Sequence, residues 1–134
     1  MKILQFAFDG NEDNPYLPKN IEGKNWVVYT GTHDNSTSVS WWENLDYESK
    51  ERIKNEYEFS ENPSWDLIEI GMNTNAYLFI APLQDILSLD DTSRLNIPGT
   101  TKNNWKWKLN QPLEEIEEDM KIYSELGNNF GRKR

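Results

Sequence analysis

Two apolar runs of the sequence are followed by side chains that can exchange protons or bind hydroxyl groups. His33 and Asp34 lie shortly after the run 26–30, and Asp9 lies directly after the run 3–8. In parallel α/β proteins, the chemistry takes place on the loops that follow the carboxyl ends of the strands. If both runs are strands, these side chains share one rim of a sheet. Unrelated strands produce the same pattern fairly often, so the pattern alone indicates a site only weakly.

The apolar pattern also predicts an alternation of strands and helices. A third run, 76–81, is followed by Gln84 and Asp85, which places polar groups on the same rim. Short apolar runs are typical of strands buried on both faces of a parallel sheet. Helical patterns separate and follow the strands, which is the order of βα units. The predicted helices begin near residues 36–38 and cover 46–59, 65–72, 83–87 and 112–126.

The last helix and the loop before it carry two further predictions. Leu113, Ile116, Met120 and Tyr123 have the spacing of one buried stripe on that helix. The segment 89–109 shows no regular element, and long irregular connections in compact domains are often functional. We therefore expect this segment to contribute to a site.

The length and composition bound the architecture. The 134 residues suffice for one compact domain, whereas a complete (β/α)8 barrel takes about 250 residues. The chain has no cysteine and a single histidine, which excludes disulfides and argues against a zinc site. We expect no metal and no redox cofactor. No apolar run has the length of a signal peptide or of a membrane span of about 18 residues, so we expect a cytoplasmic location.

The charge balance argues against nucleic acid as a partner. The net charge is −9, from 23 acidic and 14 basic residues. Nucleic-acid binding generally requires a basic face, and only residues 132–134 concentrate positive charge. A neutral ligand such as a sugar has no such requirement.

Several segments, in the same order along nearly the whole chain, resemble the amylomaltase (4-α-glucanotransferase, or disproportionating enzyme) family. The Thr-His-Asp-Asn motif alone would be moderate evidence, but several ordered segments argue strongly against coincidence. The resembling segments are MKILQFAFDG (1–10), VVYTGTHDN (27–35), the tryptophan pair 41–42, APLQD (81–85), Arg94 with NIPGT (96–100), and Asn104-Trp105 with Trp107.

This resemblance implies a fold and an activity. Family members are (β/α)8 barrels that transfer α-1,4-glucan segments to glucose or another glucan, with retention of configuration and hydrolysis as a side reaction. The chain would be of the α/β class, with a partial parallel sheet from the last three βα units of a TIM-like barrel. Residues 1–134 would form a single carboxy-terminal fragment of the catalytic barrel. Its partners would be an α-1,4-glucan or maltooligosaccharide and the missing amino-terminal part of the barrel, but no nucleic acid or membrane.

The resemblance also implies roles for individual residues. The family's nucleophilic Asp and its acid/base Glu lie on earlier strands, so no residue of this chain takes either role. Asp34 resembles the carboxylate that stabilises the oxocarbenium-like transition state, and His33 resembles a histidine that hydrogen-bonds the same sugar. Asp9 resembles a residue that contacts glucose hydroxyls, while Asn96 and Pro98 resemble positions beside the donor subsites.

Each of these residues also has a simpler structural interpretation. Asp34 could cap the helix that begins near Thr37, His33 could be a structural side chain with satisfied hydrogen bonds, and Asp9 could start a turn. Asn96 and Pro98 belong to a segment with ordinary turn chemistry. The tryptophans are assigned to no site, because packing in the core is the commoner fate of a large ring.

Three functions of different classes therefore compete. The chain could be an enzyme fragment that supplies one catalytic wall within a complete barrel. It could instead be a stand-alone carbohydrate-binding module that uses its aromatic residues and the rim formed by Asp9, His33 and Asp34, or a structural remnant without a ligand. The start at a core strand favours the first, because a module that evolved alone rarely leaves a barrel edge unpaired.

Overall fold

The protein is built on a small parallel sheet. The computed structural model describes residues 1–132, and its strands are arranged in the order β1-β2-β3, all parallel. The central strand is therefore β2, and the outer edges of β1 and β3 carry no further strand of the described chain. The predicted α/β class and parallel sheet are confirmed. The strands are β1 Lys2–Ile3, β2 Val27–Tyr29 and β3 Leu78–Ile80.

The helices begin at side chains that cap them. Thr37, Asp46 and Asn62 each accept a hydrogen bond from a backbone amide of the following turn, which satisfies one free donor at each helix start. Short 3-10 turns occur at Leu4–Phe6, Pro18–Asn20 and Asp91–Ser93. Within the described residues the α-helices are α1 Ser38–Glu43, α2 Tyr47–Tyr57, α3 Pro63–Met72, α4 Leu83–Ile86 and α5 Leu113–Asn129.

The first strand is shorter than the predicted 3–8. It ends at Ile3, after which the chain enters a 3-10 turn in which the amide of Ala7 donates to the carbonyl of Leu4 over 2.9 Å. Leu4 and Ala7 are fully buried in this turn, because an apolar run needs burial but not an extended backbone. Gln5 is the second residue after the strand end, and its backbone amide donates to the carbonyl of Thr30 over 3.2 Å.

The core lies between the sheet and the helices. Helix α3 is at its centre and contacts α1, α4 and α5. Its buried apolar residues belong to one cluster with those of the first 3-10 turn, the central strand and α2. The buried core residues include Leu4, Val28, Ile53, Leu67, Ile68 and Phe79.

Helix α5 buries less of its apolar stripe than its sequence predicts. Ile116 is buried and Tyr123 is half-buried, but Leu113 is 72% exposed and Met120 is 40% exposed. The helix has 17 residues and is therefore about 25 Å long, whereas α4, one of the helices it contacts, has only four. The prediction of a continuous buried stripe is wrong at Leu113 and Met120, because the described chain offers less surface than the helix has length.

Gly71 allows α3 to pack closely on β3. A Cβ atom at Gly71 would lie 2.1 Å from Cε1 of Phe79. We expect Gly71→Ala to lower the free energy of unfolding by about 1–3 kcal/mol, because overpacking forces neighbours to move. Gly127→Ala is the matched control, since a Cβ there meets nothing closer than 3.9 Å and replacing a helical glycine stabilises by about 0.5–1 kcal/mol. Urea unfolding measures both, and equal effects would contradict this packing.

Candidate active site

A cleft of about 510 Å³ lies at the end of the sheet where the strands finish. The loops after β2 and β3 form two of its sides, as the sequence predicts for the second and third strands. Part of the segment 89–109 forms another side, so this long irregular connection does reach the site. The lining residues include Tyr29, His33, Asp34, Ile80, Gln84 and Arg94.

The carboxylate of Asp34 is exposed and oriented by two neighbours. The amide nitrogen Nδ2 of Asn96 donates to its Oδ1 over 2.6 Å. Nε2 of His33 lies 3.3 Å from the same oxygen, and the His33 and Asp34 side chains are 51% and 53% exposed. Three of the predicted site residues therefore form one cluster, with room around it for a ligand.

Asp34 does not cap helix α1. The capping group is the hydroxyl of Thr37, which accepts a hydrogen bond from the amide of Ser40 over 3.4 Å. Thr37 is itself held by Asp91, whose Oδ1 accepts from the Thr37 amide over 2.9 Å. The capping interpretation of Asp34 is wrong, because the capping position of the helix is three residues further along the chain, at Thr37.

Arg94 braces the loop that carries Asp34. Its Nη2 donates to the carbonyl of Asp34 over 2.9 Å, its Nε to the carbonyl of Asn96 over 2.8 Å, and its Nη1 to Oγ of Ser36 over 3.3 Å. Only 16% of the Arg94 side chain is exposed. The guanidinium thus joins two distant segments through backbone carbonyls, which fixes where Asp34 and Asn96 meet.

Trp105 lies against His33 in a strained conformation. The two rings are 5.0 Å apart between centroids and inclined by 41°. Trp105 has a φ of 60°, a left-handed value that is costly for a bulky residue and recurs at functional sites. Its amide donates to the carbonyl of Leu95, which holds this conformation. The ring is 60% exposed, so it presents an apolar face beside the Asp34 cluster.

Asp85, which the sequence places on the rim, lies beneath it. Its side chain is 1% exposed, and its carboxylate accepts hydrogen bonds from Thr30 and Ser38. Burial raises the pKa of Asp85, and these hydrogen bonds act in the opposite direction. With its acceptors occupied, this carboxylate is a structural neighbour of the cleft and not a reactive group within it.

Asp9 and Pro98 are not brought to the Asp34 cluster. The carboxylate of Asp9 accepts a hydrogen bond from the amide of Asn11 over 2.9 Å, and hydrogen bonds from Asn14 and Asn11 lower the pKa of Asp9. Because β1 ends at Ile3, Asp9 lies six residues beyond the strand end. Pro98 is exposed and does not line the cleft. The substrate-binding roles of Asp9 and Pro98 stay predictions.

The described residues also bear on metal and membrane binding. Within residues 1–132, no three side chains of His, Cys, Asp or Glu gather as a metal site would require. None of the described helices combines the length and the apolar character of a membrane span. Of the basic residues 132–134, Arg132 donates to the carbonyls of Met72, Thr74 and Ala76, and the other two lie outside the described residues.

Comparison with known proteins identifies the family of this chain. The family model described as 4-alpha-glucanotransferase matches residues 1–114. The chain belongs to the 4-alpha-glucanotransferase family. It is 38% identical over 136 residues to the chloroplastic/amyloplastic 4-alpha-glucanotransferase of Arabidopsis thaliana and 44% identical over 110 residues to the 4-alpha-glucanotransferase of Synechocystis sp.. These matches cover 98% and 81% of this chain, but only 23% and 22% of the relatives.

This chain is also similar to part of a solved structure. It superimposes on the amylomaltase from Streptococcus agalactiae in complex with acarbose with a TM-score of 0.90 and 29% identity. The match covers 100% of this chain and 27% of the amylomaltase. The predicted family and the predicted partial sheet of a TIM-type barrel are confirmed, and the chain spans about a quarter of the length of these proteins.

Two residues that contact the loop of His33 and Asp34 were missed by the sequence reasoning. Arg94 and Trp105 were noted only as parts of resembling segments and were given no role. They lie 60 and 72 positions from the residues they contact, Asp34 and His33. Spacing within one helix or strand cannot reveal such contacts, whereas the position of both residues in the predicted functional loop was a usable signal.

Proposed function

We propose that this chain supplies one wall of the active site of a 4-α-glucanotransferase, which transfers α-1,4-glucan segments to glucose or another glucan with retention of configuration. The observation that carries the proposal is the exposed Asp34 carboxylate, clustered with His33 and Asn96 in a cleft at the strand ends of a chain of this family. The amylomaltase that it resembles in fold binds acarbose, which supports a maltooligosaccharide as the ligand.

In this proposal Asp34 stabilises the transition state and is neither nucleophile nor acid/base. Retaining transfer passes through states with positive charge near the anomeric carbon, and a nearby fixed carboxylate stabilises that charge. Both contacts described for the Asp34 carboxylate involve Oδ1, which leaves Oδ2 for sugar hydroxyls. His33 donates a hydrogen bond to the same sugar, as a neutral imidazole can.

The other predicted residues bind the substrate around this centre. Asn96 orients the Asp34 carboxylate through its amide and is close enough to contact the same sugar. Asp9 and Pro98 contribute to subsites further along the glucan. Trp105 adds an apolar ring face beside His33, and sugar rings present C–H faces that pack on such surfaces.

The rest of the barrel is the partner that this wall requires. The outer edges of β1 and β3 have free backbone groups, which a closed barrel pairs on both sides. Leu78 and Ile80 lie on the same face of β3 and are 46% and 38% exposed, and Tyr77, just before the strand, is 85% exposed. The remaining barrel would pair the free edges, cover this apolar face and complete the site with a nucleophile and an acid/base.

Acarbose binding to the chain tests the site assignment. His33 is the only histidine, so its imidazole proton resonances report on the cleft without further labelling. We expect acarbose to shift these resonances with a Kd of about 1 mM or weaker, because only part of the subsites is present. Asp34→Asn should weaken this binding, since the amide is a poorer acceptor than the carboxylate.

Asp90→Asn is the matched control for this titration. Asp90 is an exposed carboxylate that accepts from the amide and the hydroxyl of Thr92 outside the cleft, so its substitution should leave acarbose binding unchanged. Unmoved His33 resonances at saturating acarbose would contradict the proposed site.

A further inference from the structure

We propose that Asp85 is a positioning residue, whose buried carboxylate fastens both ends of the loop that carries His33 and Asp34 and so holds the two side chains for sugar binding. The inference rests on the proposed function in taking His33 and Asp34 as sugar-contact residues. Asp85 acts through its position below the cleft and not through contact with a ligand.

The two attachment points bracket the loop. Thr30 follows β2 directly, and its Oγ1 donates to Oδ2 of Asp85 over 2.5 Å. Ser38 is the first residue of α1; its amide donates to Oδ1 over 2.8 Å and its Oγ to Oδ2 over 2.7 Å. The seven residues between Thr30 and Ser38 include His33 and Asp34, so one carboxylate determines the distance between the ends of their loop.

The carboxylate itself is fixed to the rest of the fold. The backbone amide of Asp85 donates to the carbonyl of Pro82 over 3.0 Å in the first turn of α4, directly after β3. The hydroxyl of Ser64, near the start of α3, donates to the Asp85 carbonyl. Asp85 therefore connects the two loop ends to α3 and to the chain directly after β3, which belong to the most buried part of the molecule.

A buried carboxylate is a costly group if its only role is to fill space. Asp85 is 1% exposed, and every hydrogen bond described for its side chain goes to one of the two loop ends. Desolvating an unpaired carboxylate is unfavourable, and an apolar residue of similar volume would fill the space without that cost. What a hydrophobic side chain cannot supply is the directed attachment of Thr30 and Ser38.

The position of His33 can be measured directly. Its ring lies 5.0 Å from the ring of Trp105, so the ring current of the tryptophan displaces the His33 proton resonances from those of a free imidazole. In the unliganded chain, Asp85→Asn should move these resonances most of the way towards the free value. It should also weaken acarbose binding by about tenfold or more, as small displacements of positioning groups do.

Asp66→Asn is the matched control. Asp66 is a carboxylate too, although only partly buried; it accepts from the amide and hydroxyl of a serine, Ser60, and burial raises its pKa as well. It lies in the first turn of α3, away from the cleft lining. A loss of melting temperature in both variants, with displaced His33 resonances only in Asp85→Asn, supports positioning over a merely structural role.

Thr30→Val provides a second variant in case Asp85→Asn does not fold. It keeps the shape of the side chain and removes one of the two attachments, so it should also displace the His33 resonances. Unchanged resonances in a folded Asp85→Asn chain, or in Thr30→Val if only that variant folds, overturn the inference. If the variants displace the His33 resonances but the parent chain does not bind acarbose, the attachment of the loop by Asp85 is supported. The proposed function is then the part that is refuted.

Discussion

Asp34→Asn should lower turnover by about 10²-fold or more in a full-length glucanotransferase that carries this chain as its corresponding segment. The amide has nearly the shape of the carboxylate, and its Oδ1 can still accept the hydrogen bond from Asn96 that orients Asp34. In the proposed mechanism, the substitution removes the negative charge beside the oxocarbenium-like centre. Such a loss corresponds to about 3 kcal/mol of transition-state stabilisation.

The melting temperature separates this loss from damage to the fold. Thr37, and not Asp34, caps helix α1, so neither Asp34→Asn nor Asp34→Ala removes a cap. We therefore expect both variants to melt close to the parent enzyme while turnover falls in each. Asp90→Asn should change neither quantity. Near-normal turnover in Asp34→Asn would remove the main catalytic role proposed for this chain.

The strands and helices were predictable where the local sequence pattern is compatible with only one type of secondary structure. Val27, Val28 and Tyr29 favour a strand by residue type, and a capping side chain marks the start of α2 at Asp46 and of α3 at Asn62. The run 3–8 was different, because burial alone does not distinguish an extended strand from a buried 3-10 turn. Because the strand was predicted to continue to residue 8, Asp9 was expected beside the strand ends. In the structure Gln5 has that position, and its side chain donates to the carbonyl of Ser36.

The site was predictable only as far as it is local in sequence. His33 and Asp34 are adjacent, and both follow a strand, so their joint placement needed no tertiary information. Arg94 and Trp105 belong to the long loop 89–109. Arg94 reaches the backbone carbonyl of Asp34, and the Trp105 ring contacts the ring of His33. The strained φ of Trp105 also has no signature in its residue type. Such contacts depend on how the loop closes over the sheet, which no local periodicity encodes.

The isolated chain should show no disproportionation of maltotriose. A retaining mechanism requires two carboxyl groups about 5–5.5 Å apart on either side of the scissile bond. Among the described residues that line the cleft, the carboxylates are Asp34 and Asp85, and Asp85 is buried with its oxygens occupied by Thr30 and Ser38. One exposed carboxylate cannot serve as both nucleophile and acid/base.

Supplying the remaining part of the barrel should restore this activity, because it would bring the missing pair to the cleft and cover the exposed edge of β3. We expect glucose release from maltotriose to rise by at least about 10⁴-fold over the isolated chain, as when a nucleophile or its proton-transfer partner is regained. The assembly made with Asp34→Asn should stay about 10²-fold below the one made with the parent chain. Glucose release by the isolated chain that disappears in Asp34→Asn would mean that a complete catalytic site exists within these residues, and the proposed division of roles would then be wrong.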